Sequence, residues 1–321
     1  MRRALVGGVR FKPSEALRFL GGLAAAVIVL GLIALRVTSC APAPPLRPIP
    51  PPPPVTSPVP PPAAPSVLTA TCAEGPPAAA AANAASLRRL PWAPFGRPEV
   101  GWETYAPLIA REIRTGCPPQ SPGFAAALEI WEGAQLLPRD GVLSEADFLR
   151  LKGVVQTRRS FVRLSAQRIC PDPPPATRLE AGRPGEGYGG KQISLRPAAF
   201  AAWRRMAAAA RAADPRIAAD PRNLTIFSGF RSPEADAARC AAERNCGGVV
   251  RATCSPHRTG LAVDMYVGQA PGYGPDSSAD ANRLYMSRTP TYRWLVANAD
   301  RFGFVPYPFE PWHWEWTGEA P

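Results

Sequence analysis

The sequence is poor in histidine and lacks the cysteine and basic patterns that mark several common protein classes. Only two histidines occur among 321 residues. No two of its seven cysteines are spaced as Cys-x-x-Cys, which argues against a zinc ribbon or a dithiol redox motif. The net charge is +12, but the arginines are scattered and no basic tract is interleaved with aromatic residues, so no nucleic-acid role is predicted. Attraction to an anionic envelope polymer or to a membrane surface explains the positive charge at least as well as nucleic-acid binding does.

The seven cysteines favour disulfide bonds formed in an oxidising compartment. Six of them could form three bonds, and Cys40 is the simplest one to leave over because it directly follows an apolar run. The sequence does not determine the pairing. We hypothesise that a disulfide among Cys240, Cys246 and Cys254 braces the segment that leads to His257.

An uncharged run precedes Cys40 and suggests a membrane anchor. Residues 1–18 form a basic tail, and the run that follows is closed by Arg36. Its length is about the minimum for a spanning helix and exceeds a usual signal-peptide core. We therefore expect residues 19–36 to cross the inner membrane once, with the basic tail in the cytoplasm and the rest in the periplasm. A cleaved signal peptide and a lipoprotein modified on Cys40 are the alternatives.

Proline dominates the next segment, and residues 37–90 are predicted to be a Pro/Ala-rich linker. Between positions 42 and 65 the chain is mostly proline, which favours an extended polyproline helix of about 3.1 Å per residue. Such a spacer reaches up to about 70 Å at that rise. It would let a tethered domain extend across a periplasm.

Helical spacing of apolar residues begins after position 90 and predicts a small helical subdomain over residues 91–175. An Asp-Gly turn there is followed by Ser144 as a helix N-cap, with Asp147 three residues on. This pattern resembles the small helical peptidoglycan-binding modules of wall hydrolases. The alternative is an ordinary helical subdomain that packs on the next domain.

The two histidines lie in two short segments that each carry further chemistry. His257 precedes Asp264 by seven residues, with Gly260 providing a bend into a predicted strand. His313 lies near the C-terminus, three residues after Glu310. Neutral imidazoles and one carboxylate form a common ligand set for zinc, so His257, Asp264 and His313 are candidate ligands.

Three motifs in order give these residues a family. Ser-Gly-Phe-Arg-Ser, then Ser-x-His-x-x-Gly-x-Ala-x-Asp, then Glu-x-Trp-His occur between positions 194 and 316. Together they resemble the zinc D-alanyl-D-alanine carboxypeptidases and dipeptidases of the vancomycin-resistance type, which have the hedgehog/DD-peptidase fold. The resemblance implies an α+β domain over residues 176–321, with a small mixed or antiparallel sheet flanked by helices.

The resemblance also implies a role for each motif residue. His257, Asp264 and His313 would bind zinc and leave a fourth position to water. Glu310 would act as the general base, with Glu315 as its nearby competitor. Three tryptophans in the same segment are interpreted as core rather than as a binding platform: Trp312, Trp314 and Trp316.

The upstream motif supplies the residues that would hold the substrate. The resemblance implies that Arg231 stabilises the oxyanion, with Ser228 and Ser255 as substrate-binding residues. The chain departs from the family in two places. Phe230 replaces the commoner tyrosine, and the segment Pro233-Glu234-Ala235-Asp236 follows the motif where family members often carry a glutamine. Because of these departures, the resemblance does not predict how the substrate is bound near the helix that follows the motif.

The predicted function is zinc-dependent hydrolysis of peptidoglycan stem peptides by a D-alanyl-D-alanine carboxypeptidase. An endopeptidase with the same zinc core is one alternative, because that core serves several bonds. A non-catalytic cell-wall-binding protein is the other. The presence of Glu310 favours an enzyme over a binding protein.

Overall fold

The computed structural model describes residues 71–242, 244, 246 and 254–321. The predicted anchor at 19–36, the proline-rich spacer and Cys40 lie outside the described residues. Within the described part of the chain, none of the helices combines the length and apolar character needed to cross a bilayer.

The first part of the described chain is mostly helical, and we refer to residues 71–169 as the helical unit. Its core is a cluster of buried aromatic and aliphatic side chains that includes Trp102, Phe124 and Phe148. The predicted cap is confirmed, because Ser144 accepts a hydrogen bond from the Asp147 N–H while the Asp147 carboxylate accepts one from the Ser144 N–H. The elements are α1 (Pro77–Ser86), β1 (Pro91–Trp92), β2 (Glu99–Val100), a 3-10 helix (Glu103–Tyr105), α2 (Ala106–Glu112), α3 (Pro122–Ala134), α4 (Glu145–Thr157) and α5 (Ser160–Ala166).

The prediction of a linker up to residue 90 is wrong at its C-terminal end, because α1 belongs to the folded unit. The Asn83 amide is buried and donates to the Gly141 carbonyl at 2.8 Å, and its oxygen accepts from the Leu143 N–H at 2.8 Å. A disulfide joins Cys72 to Cys117. Alanine is the best helix former, so an alanine-rich stretch becomes a helix once a neighbouring surface can bury one face of it.

The second part of the chain combines helices with a four-stranded sheet, which confirms the α+β prediction. Before the sheet come a 3-10 helix (Ala176–Arg178), β3 (Glu180–Ala181), a 3-10 helix (Tyr188–Gly190), β4 (Ser194–Leu195), α6 (Pro197–Ala213) and α7 (Pro215–Ala218). The remaining elements are β5 (Ile226–Ser228), α8 (Pro233–Ala242), a 3-10 helix (Pro256–Thr259), β6 (Ala262–Met265), α9 (Asp280–Arg288), α10 (Pro290–Asn298), a 3-10 helix (Ala299–Phe302), β7 (Phe304–Tyr307) and β8 (Glu310–Trp316).

The four strands pair in the order β5-β6-β8-β7, and every pairing is antiparallel. The register sets Asp264 of β6 opposite Ser228 on one side and opposite His313 on the other. Because side chains alternate between the faces of a strand, Val263 lies on the face opposite to Asp264, within the main apolar cluster. Trp312 and Trp314 belong to that cluster and Trp316 packs against it, which confirms their interpretation as core residues.

The helical unit packs on this second part through buried polar contacts as well as apolar ones. Arg283 of α9 is fully buried and pairs with Glu99 at 2.7 Å, and the Tyr105 hydroxyl donates to the same carboxylate at 2.7 Å. Arg283 also donates to the Phe309 carbonyl at 3.2 Å. This is the packing expected of a subdomain that lies on its neighbour, while binding of wall polymer by the helical unit stays a prediction.

Candidate metal centre

The first imidazole is held by the turn that precedes β6. His257 lies in the 3-10 helix, which ends at Gly260 with φ of 70°, so the bend expected at this glycine is confirmed. The His257 Nδ1–H donates to the Gly229 carbonyl at 2.7 Å. This contact fixes the tautomer and directs Nε2 toward Asp264, whose Oδ2 lies 3.2 Å away.

The second imidazole reaches the same carboxylate from the neighbouring strand. His313 Nδ1 lies 2.9 Å from Asp264 Oδ1, while its Nε2 lies 3.2 Å from Glu315 Oε1. The structure therefore brings the three predicted ligands together, with one ligand atom from each all within 4.8 Å of one another. All three residues are buried.

Two of the three separations between these atoms are close to those around a tetrahedral metal ion. Ligand bonds of about 2.0–2.2 Å place neighbouring ligand atoms about 3.4 Å apart. The observed separations from the Asp264 oxygens are 3.2 Å to His257 Nε2 and 2.9 Å to His313 Nδ1. Two imidazole nitrogens and one carboxylate oxygen are a donor set that zinc accepts, with one position left for water or substrate.

The electrostatics of the cluster favour a cation at its centre. Burial, reinforced by the positive charge of Arg231, lowers the pKa of His257 to about 4, so this ring is neutral and able to ligate at neutral pH. Burial acts to raise the pKa of Asp264, but the two imidazoles outweigh it and hold that pKa well below its usual range. Burial also acts to lower the pKa of His313, yet hydrogen bonds to Asp264 and Glu315 raise it to about 9. A metal ion at Nδ1 would replace the proton there and leave the Nε2–H donating to Glu315.

Glu310 lines the same cleft as the three ligands. Its Oε2 lies 4.0 Å from His313 Nδ1, and the residue is 7% exposed. On a regular strand, residues three positions apart point to opposite faces. The pairing of β7 with β8 is irregular here, because Pro306 pairs with Trp314 whereas Tyr307 pairs with Glu310. This irregularity allows Glu310 and His313 to face one cleft.

Glu315, the competitor for the base, has other partners. Its carboxylate contacts the Nε2 side of His313 and accepts a hydrogen bond from Arg159 Nε at 2.8 Å. Burial acts to raise the pKa of Glu315, but the charge of Arg159 and the contact with His313 outweigh it and lower that pKa to about 2. It is therefore ionised at neutral pH and lies on the side of the ring away from the candidate ligand nitrogen.

Arg231 and the two predicted substrate-binding serines form one cluster beside the ligands. Arg231 Nη1 donates to Ser228 Oγ at 2.8 Å, and its Nε donates to Asp236 Oδ1 at 2.8 Å. Ser255 Oγ donates to the other Asp236 oxygen at 2.6 Å and lies 3.5 Å from Arg231 Nη2. These four residues line the same cleft of about 270 Å³ as the candidate ligands.

Sequence reasoning did not identify two residues of this site. In the sequence, Asp236 stands out only as part of a departure from the family, although a carboxylate five residues after Arg231 on a capped helix is a detectable signal. Arg159 lies 156 positions from its partner Glu315, so no local pattern could have indicated it. Two of the three disulfides among the described cysteines also join residues far apart in sequence, Cys72 to Cys117 and Cys170 to Cys254.

The hypothesis of a disulfide among the three cysteines before His257 is confirmed in one bond, Cys240–Cys246. The bond that lies nearest to His257 takes Cys254 to the distant Cys170. Because Cys254 lies three residues before His257, this bond anchors the segment that carries the His257 ring.

The part of the chain that contains this site matches a known protein family. Residues 192–319 match the family model VanY, described as D-alanyl-D-alanine carboxypeptidase. This part of the chain is similar to the VanY family. The family predicted from the three motifs is thereby confirmed, and it is a family of enzymes.

No curated protein matches the chain. Among solved structures, the chain is similar to a mutant of the vancomycin-resistance D,D-pentapeptidase VanY from a VanB-type resistance cassette, in complex with Zn(II). The identity is 23% over 46% of this chain and 83% of that chain, with a TM-score of 0.27.

We call residues 192–319 the VanY-type domain. It contains every site residue predicted from the sequence, from Ser228 to His313. The helical unit lies outside it, yet Arg159 and Gln156 of that unit line the cleft together with the candidate ligands. The roles of the individual residues stay predictions.

Proposed function

We propose that this protein is a zinc-dependent D-alanyl-D-alanine carboxypeptidase that trims peptidoglycan stem peptides. The observation that carries the proposal is the position of Glu310 beside the buried cluster of His257, Asp264 and His313. A base next to a three-ligand site with an open fourth position is the arrangement of a hydrolytic metal centre rather than a structural one. The match of this region to the VanY family supports the same substrate class.

Zinc, when bound by His257, Asp264 and His313, would supply a Lewis acid that acidifies water and polarises the scissile carbonyl. Glu310 takes the proton of the attacking water and later delivers it to the departing amine of the terminal D-alanine. Its position in the cleft, 4.0 Å from the ligand nitrogen of His313, suits a group that acts on water at the open position. The products are free D-alanine and a peptide shortened by one residue.

Arg231 would stabilise the negative charge that develops on the carbonyl oxygen. Its guanidinium has five N–H groups, and the contacts to Ser228, Asp236 and Ser255 hold the plane in place. A fixed cation beside the reacting carbonyl is worth more than a mobile one because no reorganisation accompanies the reaction. Ser228 and Ser255 would orient the guanidinium and bind the substrate. Ser228 would donate its O–H to the free carboxylate, and Ser255, whose O–H donates to Asp236, would accept a hydrogen bond from the substrate backbone.

The proposal includes a location. Residues 19–36 would anchor the chain in the inner membrane, and the proline-rich spacer would hold the VanY-type domain in the periplasm. Peptidoglycan lies in that compartment, and three disulfides among the described cysteines agree with an oxidising environment. Membrane fractionation, followed by protease treatment of intact spheroplasts, tests this location. Recovery of the chain in the soluble cytoplasmic fraction would contradict it.

The activity is tested by incubating the purified full chain with defined muropeptides that end in D-alanyl-D-alanine. The reaction is followed with and without a chelator, beside Glu310→Ala as the matched variant. Release of free D-alanine that stops with chelator and with Glu310→Ala supports the proposal. A different fragment supports an endopeptidase on the same zinc core. Binding of muropeptide without any product refutes the enzymatic proposal and supports a wall-binding protein.

A further inference from the structure

Arg159 places a charge from the helical unit inside the VanY-type domain. It immediately precedes α5, outside residues 192–319, and its side chain is 6% exposed. Its Nε donates to Glu315 Oε1 at 2.8 Å, and its Nη2 donates to the same oxygen. Two buried opposite charges in such contact compensate each other, whereas either one alone would be strongly unfavourable.

Glu315 transmits this contact to a candidate metal ligand. The oxygen that faces Arg159 lies 3.2 Å from His313 Nε2. The other nitrogen of that ring, Nδ1, faces Asp264. A ligating histidine whose second nitrogen donates to a carboxylate has its tautomer and its ring orientation fixed by that carboxylate. Glu315 is therefore placed to orient His313.

Arg159 is itself held on two further sides. Its Nη1 donates to Gln156 Oε1 at 2.6 Å. Its guanidinium carbon lies 4.5 Å from the centre of the Tyr307 ring, and that ring meets the His313 ring edge-on at 6.0 Å. A guanidinium fixed in this way can hold Glu315 in one position, because its planar fork leaves little freedom for the carboxylate.

We infer that Arg159 is a positioning residue of the metal centre, which acts through Glu315 on the orientation of His313. The helical unit is then a part of the zinc site rather than an accessory to it. The inference rests on the proposed function in that it takes His313 as a zinc ligand. It goes beyond the family match, because Arg159 lies outside the matched residues.

The test compares Arg159→Met with Arg158→Met in the full chain. Arg158 is the adjacent residue, but its side chain is 53% exposed and pairs with Glu112 at 2.9 Å on the surface. Zinc affinity is measured by competition with a chromophoric chelator, and the geometry at the metal is read from the visible spectrum of the Co(II)-substituted protein. Steady-state kinetics with a D-alanyl-D-alanine peptide separate kcat from KM.

We expect Arg159→Met to bind zinc about 10-fold more weakly than the wild type, the lower end of the range found when direct partners of ligating histidines are lost, because Arg159 acts through Glu315. The Co(II) spectrum should change, and kcat should fall while KM stays within about twofold, because ring orientation affects the metal more than ground-state binding. Arg159→Lys should restore part of the affinity, since it keeps the charge without the fork. Arg158→Met should match the wild type in every readout.

A second variant covers the case in which Arg159→Met does not fold. Arg159→Met combined with Glu315→Gln leaves no uncompensated buried charge, and its thermal unfolding shows whether it is folded. Because Arg159 acts through Glu315, the folded double variant should match Glu315→Gln alone in zinc affinity and in the Co(II) spectrum, and a further loss in the double variant would contradict that route. A folded Arg159→Met or double variant with the zinc affinity and Co(II) spectrum of Arg158→Met would overturn the inference.

The two proposals fail separately because zinc affinity is measured without substrate. Weaker zinc binding by Arg159→Met in a protein that releases no D-alanine supports the inference and refutes the carboxypeptidase. D-alanine release by the wild type, with equal zinc affinity in Arg159→Met and Arg158→Met, supports the carboxypeptidase and refutes the inference.

Discussion

The helical unit and the VanY-type domain both bury polar side chains, but they satisfy them in different ways. In the helical unit, Asn83 and Glu132 are fully buried and bond to backbone groups of the loop around Gly141. In the VanY-type domain, His257 and His313 contact the carboxylate of Asp264 at the wall of a cleft. The backbone contacts of Asn83 and Glu132 stabilise the fold of the helical unit. The contacts of His257 and His313 with Asp264 place nitrogen and oxygen atoms beside the cleft, where they can bind a metal ion.

The largest expected effect comes from removing a ligand. His257→Ala should lose tightly bound zinc and all measurable D-alanine release, because two protein ligands hold zinc far less well than three. Asn83→Ala is the comparison in the helical unit. It should lower the free energy of unfolding by about 1–3 kcal/mol, because it strands two buried backbone groups, and keep one zinc per folded chain. Metal analysis of the purified proteins checks both, and a full equivalent of tightly held zinc in His257→Ala would refute the ligand assignment.

Arg231 is expected to show the next largest effect. Arg231→Met should lower kcat by about 10²–10³-fold, the usual loss on removing one donor to a developing oxyanion, while zinc stays bound. Arg204→Met provides the control in the same domain. Arg204 is also part-buried and paired with two carboxylates, those of Glu180 and Glu186, but it does not line the cleft. Equal kinetics for the two variants would contradict the role given to Arg231.

The disulfides extend the comparison from side chains to cross-links. Replacing both cysteines by serine in either Cys72–Cys117 or Cys170–Cys254 should lower the free energy of unfolding by about 2–5 kcal/mol. Only the second pair should also weaken zinc binding, because Cys254 lies three residues before His257. Urea unfolding and chelator competition measure the two effects. An equal change in zinc affinity from both pairs would count against a bracing role for the second.

The smallest effect is a pH dependence located in the helical unit. Burial, opposed by backbone hydrogen bonds from Asp140 and Gly141, raises the pKa of Glu132 to about 7. Because its pKa is higher in the folded chain than in the unfolded one, its contribution is fully present below about pH 4.5 and is lost as pH rises through 7. Glu132→Gln should therefore lose less stability than the wild type between pH 5 and pH 8. Identical pH dependence in urea unfolding of the two proteins would contradict this assignment.

Local patterns predicted much of the fold because they act over a few residues. The capping box at Ser144 and the left-handed bend at Gly260 both follow from the residues present at those positions. The alanine-rich stretch over α1 misled the same reasoning. Its helix is stabilised by Asn83 and by the Cys72–Cys117 bond, whose partners lie far along the chain.

The sequence alone determined which chemistry this protein carries, since its two histidines, Asp264 and Glu310 occur in motifs whose spacing is visible in the chain. The tertiary structure decided how these groups meet. The pairing of β6 with β8 sets Asp264 opposite His313, and the irregular pairing near Tyr307 allows Glu310 to face the same cleft. The tertiary structure also brings Arg159 of the helical unit into the cleft that the candidate ligands line. An ion pair such as that of Arg159 joins residues 156 positions apart, and only the packing of two units can bring such charges together.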